Sequence, residues 1–266
     1  MDIDTVTEFG PAAGATWRAG DAWLGGGTWL FSQPQPGLRR LLDLHAFGWP
    51  SLVESPGDLR IAATCTLADL ARWRPAARWP GTVLFGQCCD ALLGSAKVWN
   101  MATVGGNICL SLPAGPMTSL TAALDGVAVI WSPDGSAREV PVTDFVTGAG
   151  RNVLRPGELL RSVRVPAESM RCHTAFRQVS LSPVGRSAAV VIGRRPPGGA
   201  RFVVTVTAAT PRPVQLRFGT PPSPEAAVAA LDATVPEYQD DMHGAARWRA
   251  AMARRYVAEV VTELSG

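Results

Sequence analysis

The sequence predicts an α+β protein, on three observations. Short apolar runs in the first third stop at glycine-rich turns, and helix-start signals with helical spacing follow in the middle. An alternating stretch near the C-terminus then precedes a long periodic segment. Strands and helices grouped in runs, rather than in strict alternation, mark the α+β class.

Taken in order, Ala22-Trp23-Leu24 is apolar and ends at Gly25-Gly26-Gly27, where glycine accepts a positive φ without penalty. Residues 40–44 form a second strand. Residues 51–54 and 59–62 flank Ser55-Pro56-Gly57-Asp58, a turn signal, and so make a hairpin. Thr66 with Asp69 three residues on resembles a capping box, and Leu67, Leu70, Ala71 and Trp73 recur at helical spacing. A second helix covers residues 117–125, with Pro116 suited to its start and Gly126 to its C-terminal cap. Residues 127–131 read as a buried strand that turns through Ser132-Pro133-Asp134-Gly135 into residues 139–142. Residues 163–165 and 202–207 are further strands. A terminal helix spans residues 243–264, with Trp248, Met252, Tyr256, Val260 and Leu264 as its apolar stripe.

A chain of 266 residues exceeds the usual single domain, so two or three subdomains are expected. With 47% hydrophobic and 18% charged residues it can bury a sizeable core and is not disordered. No apolar run is long enough to span a membrane. The opening Met1-Asp2-Ile3-Asp4 is acidic where a signal peptide would be basic, so a soluble, cytoplasmic protein is expected. The net charge is +3, Lys97 is the single lysine, and the arginines are scattered. No basic run interleaved with aromatics suggests a nucleic-acid surface. Cys65, Cys88, Cys89, Cys109 and Cys172 form no CxxC pair, and His45, His173 and His243 stand apart from them. Buried, reduced thiols and no metal or iron–sulfur cluster in this chain are the expectation.

Two glycine-rich segments carry the chemistry: Gly25-Gly26-Gly27-Thr28-Trp29-Leu30, directly after a strand, and Thr103-Val104-Gly105-Gly106-Asn107-Ile108. Glycines let the backbone approach a phosphate, and consecutive N–H groups can converge on its oxygens. Thr28, Thr103 and Asn107 add polar side chains. Such a pair suits a diphosphate held from two sides. Each segment alone also fits an ordinary turn. Neither is a P-loop, because no Gly-Lys-Ser/Thr follows, and neither matches the G-x-G-x-x-G fingerprint of a dinucleotide fold.

The pair, with Ala102 and Cys109 flanking the second segment, resembles the flavin-diphosphate loops of the FAD-binding medium subunits of molybdenum hydroxylases, the xanthine dehydrogenase and carbon monoxide dehydrogenase family. Residues 41–44, 61–70, 144–145, 154–160 and 240–249 resemble further family segments in the same order, so the likeness spans nearly the whole chain. The resemblance implies the vanillyl-alcohol-oxidase-type, or PCMH-type, FAD-binding fold. That means two α+β subdomains (residues 1–58 and 59–165) and a C-terminal domain of antiparallel sheet packed with helices (residues 166–266), similar to the carbon monoxide dehydrogenase flavoprotein C-terminal domain.

It further implies an FAD-dependent oxidoreductase subunit active only in a hetero-oligomeric complex. Electrons would come from an iron–sulfur small subunit with [2Fe-2S] clusters, after substrate oxidation on a molybdopterin large subunit, and leave to an external acceptor. The implied cofactor-binding residues are Gly25, Gly26, Gly27, Thr28, Trp29, Thr103, Val104, Gly105, Gly106 and Asn107 at the diphosphate, Leu159 (or Leu160) at the ring system, and Arg177 as a cation near the flavin. No catalytic acid–base pair is expected in this chain. Two departures stand out. Pro116 occupies the place of an aspartate that lies near the FAD ribose in the family, and Arg177 replaces a lysine, with Leu181 where a later arginine is usual. Three rival readings remain at this point: a self-contained flavoenzyme of the UDP-N-acetylmuramate dehydrogenase type, a scaffold subunit that has lost flavin, and a structural module with fortuitous glycine turns.

Overall fold

The computed structural model describes residues 5–76 and 78–266; the acidic opening Met1 to Asp4 lies outside them. Three sheets follow one another along the chain. The first has β1 (Glu8–Pro11), β2 (Asp21–Leu24) and β3 (Arg40–Asp43), all parallel, with β3 in the centre. Asp21 and Arg40 are register partners, and the guanidinium grips the buried carboxylate through Nε (2.9 Å) and Nη2 (2.6 Å). That grip holds the Asp21 carboxyl below the usual carboxylate range.

The second sheet is antiparallel. It contains β4 (Leu52–Glu54), β5 (Asp58–Ala62), β6 (Val127–Trp131), β7 (Ala137–Pro141) and, after the small hairpin of β8 (Val146–Gly148) and β9 (Arg151–Asn152), the central β10 (Leu159–Pro166). The hairpin at residues 52–62 therefore lies within this sheet, across residue 58. β6 is buried on alternate residues only: Ala128 and Ile130 enter the main core, while Val127, Val129 and Trp131 on the opposite face stay half-buried. Helices α1 (Leu67–Arg72), α2 (Val83–Asp90), α3 (Ala96–Trp99), α4 (Val104–Leu110) and α5 (Pro116–Ala123) fill the insertion between β5 and β6. Thr66 Oγ1 accepts from Asp69 N–H (3.0 Å), so half of the expected capping box forms; the Asp69 carboxylate instead accepts from Ser51.

Short α6 (Val142–Phe145) and α7 (Ala167–Met170) flank β10. The third sheet, β11 (His173–Val179), β12 (Ala189–Arg195), β13 (Phe202–Thr207) and β14 (Val214–Phe218), is an antiparallel meander. Buried α5 packs on one of its faces, and α8 (Pro224–Thr234) and α9 (Ala246–Ser265) on the other. β13 is buried throughout for this reason: Val204 and Val206 join the α9 side, while Thr207 hydrogen-bonds Ser119 of α5 (2.6 Å).

Two sequence expectations shift. The left-handed residue after α5 is Asp125 (φ 54°), not Gly126. Arg217 (2.6 Å) and Arg194 pair with its carboxylate, while Gly126 is needed because a Cβ there would lie 2.7 Å from Thr121 O. In α9 the buried stripe is Arg249, Ala250, Ala253, Val257, Val260 and Val261; Trp248, Met252, Tyr256 and Leu264 flank it half-buried. Small alanines, and Gly193 of β12 beneath Val260 and Leu264, let the helix sit close to the sheet.

Glu158 joins the first two sheets. Its carboxylate accepts from Arg138 Nε (3.0 Å) and Nη2 (2.7 Å) and from Arg155 N–H (2.8 Å), while its carbonyl accepts from Trp23 Nε1 (3.1 Å). Hydrogen bonds from Arg138, above all, hold its pKa at about 2 against an ordinary 4.5. A depressed carboxyl contributes stability above its unfolded pKa and loses it as pH falls towards the folded one. Acid titration followed by circular dichroism is therefore expected to show a loss of order 3 kcal/mol between about pH 4.5 and 2. Glu158→Gln should flatten that limb; an acid limb identical to the unsubstituted chain's would refute the assignment.

Among the described residues no helix is long and apolar enough to cross a membrane, and no group of three His, Cys, Asp or Glu could hold a metal ion.

Candidate functional site

Parallel neighbours cannot be joined by a tight hairpin, so the chain must leave the first sheet after β2 before returning as β3. It leaves at the carboxyl ends of the strands, where crevices for ligands form in parallel sheets. There Gly25 to Leu30 make one wall of a cavity of about 950 Å³. That is large for a small-molecule site and suited to a cofactor. Thr103, Gly106 and Asn107 face this wall, and Pro113 to Pro116 and the segment around Leu93 form the sides. Arg186 approaches from the segment between β11 and β12, Asp241 and His243 from the segment before α9, and Arg249 from α9 itself.

The three glycines have different causes. A Cβ on Gly25 would lie 2.8 Å from Thr103 Oγ1, and one on Gly26 only 1.6 Å from Met101 O. Those two positions let the first segment rest directly on the second. Gly27 alone has a positive φ (69°). Beyond them the backbone donors are idle: among the described residues, the N–H groups of Gly26, Gly27, Thr28, Trp29 and Leu30 meet no protein acceptor. Buried or half-buried N–H groups are rarely left so. A run of donors on cavity-lining residues is the arrangement that receives an anion.

The second segment behaves otherwise, and corrects the expectation that both present N–H groups. Thr103 is the N-cap of α4. Val104 N–H goes to Cys65 O (2.8 Å), Gly105 N–H to Ala63 O (2.9 Å), Gly106 N–H to Thr103 Oγ1 (3.1 Å) and Asn107 N–H to Thr103 O (3.0 Å). Val104 and Gly105 do not line the cavity. Gly105 is required because a Cβ would sit 2.4 Å from that of Ala63. Asn107 lines the cavity, and its Oδ1 accepts from Met117 N–H (3.0 Å) in the first turn of α5, which Pro116 opens.

Leu159 and Arg177 lie away from the cavity. Leu159 packs with Ala12, Leu42 and Leu44 beneath the first sheet, and Leu160 is in the main core. Arg177 reaches from β11 to α9, where Nε meets Glu259 (2.8 Å) and Nη2 meets Glu263 (2.7 Å). Its charge is neutralised there. Sequence reasoning missed Arg186, Asp241, His243 and Arg249 as cavity residues. The run 240–249 was visible as a family-like segment, but only the packing of α9 brings it to the cavity. Cys109 also lines the cavity, and burial pushes its thiol up to about 12, so it is a neutral group and not a reactive thiolate.

A family model described as the FAD binding domain in molybdopterin dehydrogenase matches residues 20–168, more than half of the chain. The chain belongs to that family. Similar proteins include a putative xanthine dehydrogenase FAD-binding subunit of Escherichia coli, 26% identical over 86% of this chain and 83% of that one. The nicotinate dehydrogenase FAD-subunit of Eubacterium barkeri is 30% identical over 38% of this chain, and the match spans only 36% of its length. Among solved structures, carbon monoxide dehydrogenase from Oligotropha carboxidovorans superposes with a TM-score of 0.84 over 99% of both chains, at 22% identity, which establishes a shared fold. Both glycine segments and Pro116 fall inside the family-matched region, whereas Arg186, Asp241 and Arg249 lie beyond it.

Proposed function

We propose that the chain is the FAD-binding electron-transfer subunit of a molybdenum-containing hydroxylase complex. In this reading it works in the cytoplasm, takes electrons from an iron–sulfur partner carrying [2Fe-2S] clusters, and passes them to an external acceptor, while a molybdopterin subunit oxidises the substrate. One observation carries the reading within the family: the unpaired N–H run from Gly26 to Leu30 on the wall of a cofactor-sized cavity. A diphosphate is the part of FAD that such a run fits.

Bound flavin would supply the redox chemistry, accepting electrons singly and releasing a pair. The chain's own residues bind and orient. Gly26 to Leu30 offer the donors, and Thr103 and Asn107 fix the facing wall by spending their side chains on the starts of α4 and α5. Pro116 carries no carboxylate for a ribose, so a hydrogen bond there would have to come from elsewhere on the wall.

The test is the visible absorption spectrum of the purified chain, reconstituted with FAD if colourless, with chromatography of the released flavin. Flavin bands released as FAD are the expected result. A folded protein that stays colourless would favour a flavin-free scaffold. Co-purification is expected to bring down an iron–sulfur subunit and a large molybdenum subunit; isolation as a stable monomer active on its own substrate would count against the complex.

A further inference from the structure

We infer that Arg186 is the cation that pairs with the diphosphate of the bound flavin dinucleotide, reaching the first glycine segment from the third sheet. The inference rests on the flavin reading above. A run of neutral N–H groups orients a diphosphate but leaves its charge uncompensated, and in a half-enclosed cavity that charge calls for a cation. Arg177, the cation expected from the sequence, is outside the cavity and paired with Glu259 and Glu263. Arg249 lines the cavity but is committed to Asp241 and three backbone carbonyls.

Arg186 differs from both. It lines the cavity, is exposed, and makes no ion pair among the described residues. Its guanidinium carbon lies 5.7 Å from the centroid of the Trp29 ring. Trp29 belongs to the run of unpaired N–H groups, so its ring ties the guanidinium to the same segment that carries the anion-receiving backbone. The indole face holds it there by cation–π attraction without consuming its N–H donors. A planar fork of donors beside a phosphate is the geometry that arginine supplies and lysine does not. The pairing would also tie the segment between β11 and β12 to the segment after β2 whenever the dinucleotide is bound.

The test uses the full chain freed of flavin and titrated by flavin fluorescence with FAD and with riboflavin, the same ring without phosphates, at low and high salt. Arg186→Gln is expected to weaken FAD binding on the order of 10- to 100-fold. It should flatten the salt dependence and leave riboflavin binding unchanged, and Arg186→Lys should recover part of the loss. Because Arg186 is exposed, the flavin-free variants should melt with the unsubstituted chain. FAD affinity and salt dependence equal to those of the unsubstituted chain would overturn the inference while leaving the flavin reading intact. So would an equal fractional loss for riboflavin, which would make Arg186 a ring contact. An unsubstituted chain that binds neither flavin would overturn both.

Discussion

Gly26→Ala is expected to weaken FAD binding by at least roughly 100-fold, since it should displace the donors an anion requires. The new Cβ would fall 1.6 Å from Met101 O, a contact that backbone on both sides must yield to remove. Met101 precedes Ala102, whose carbonyl accepts from Leu67 N–H (3.0 Å), and Val98 O accepts from Ala102 N–H (2.7 Å), so the second segment is held on its own side. The first segment must therefore move, carrying the run from Gly26 to Leu30 with it. Titration with FAD, paired with a melting curve of the flavin-free chain, reads the effect. Gly86→Ala is the matched control: Gly86 lies in α2 with open space around it, and alanine there should stabilise by roughly 0.5–1 kcal/mol. Flavin affinity retained in Gly26→Ala would mean that the contact between the two segments does not position the site.

Arg249→Met is expected to cost about 3–5 kcal/mol of stability, because buried backbone carbonyls lose a charged donor at roughly 1–3 kcal/mol each, while the Asp241 carboxylate, a third exposed, is left to water. The side chain is 1% exposed and is the largest among the fully buried ones. Its Nε donates to Gly244 O (2.9 Å) and its Nη1 to Ala188 O (3.0 Å) and Ala208 O (2.7 Å), while Nη2 pairs with Asp241. Those acceptors come from the segment before α9, the start of β12 and the end of β13. One guanidinium thus gathers three chain segments where the backbone leaves regular structure. Methionine keeps most of the volume but donates nothing to Ala188 O, Ala208 O or Gly244 O. Arg249→Lys, with a point charge in place of the fork, should fall between the two. Urea unfolding measures it, and a Met variant within about 1 kcal/mol of the unsubstituted chain would show that water replaces the guanidinium at little cost.

Much of the fold is written in local patterns, because a strand's alternation, a helix's spacing and a turn's glycine are fixed by neighbours within a few residues. Thus the strand before Gly25, the hairpin across Ser55 to Asp58, the helix capped by Thr66 and the C-terminal helix all lie where the sequence places them. The same locality exposed both glycine segments as places of close backbone approach. What it could not decide is what each approaches. Only the packed structure shows that Gly25 and Gly26 accommodate Thr103 and Met101, that Gly105 accommodates Ala63, and that the N–H groups of the second segment are spent inside the protein.

The charged residues make the same point. The sequence showed scattered arginines of one kind. Their fates depend on contacts across 69 residues for Arg194 and Asp125, 82 for Arg177 and Glu259, and 61 for Arg249 and Ala188. Periodicity likewise gave α9 an apolar stripe but not its orientation, because the sheet beneath selected the face with the small alanines and admitted an arginine at its buried edge. Sequence by itself determined the elements and the resemblance to flavin-binding medium subunits. Tertiary structure decided which donors stay free and which arginine is left uncommitted beside them, since both depend on partners that only folding brings within hydrogen-bonding distance.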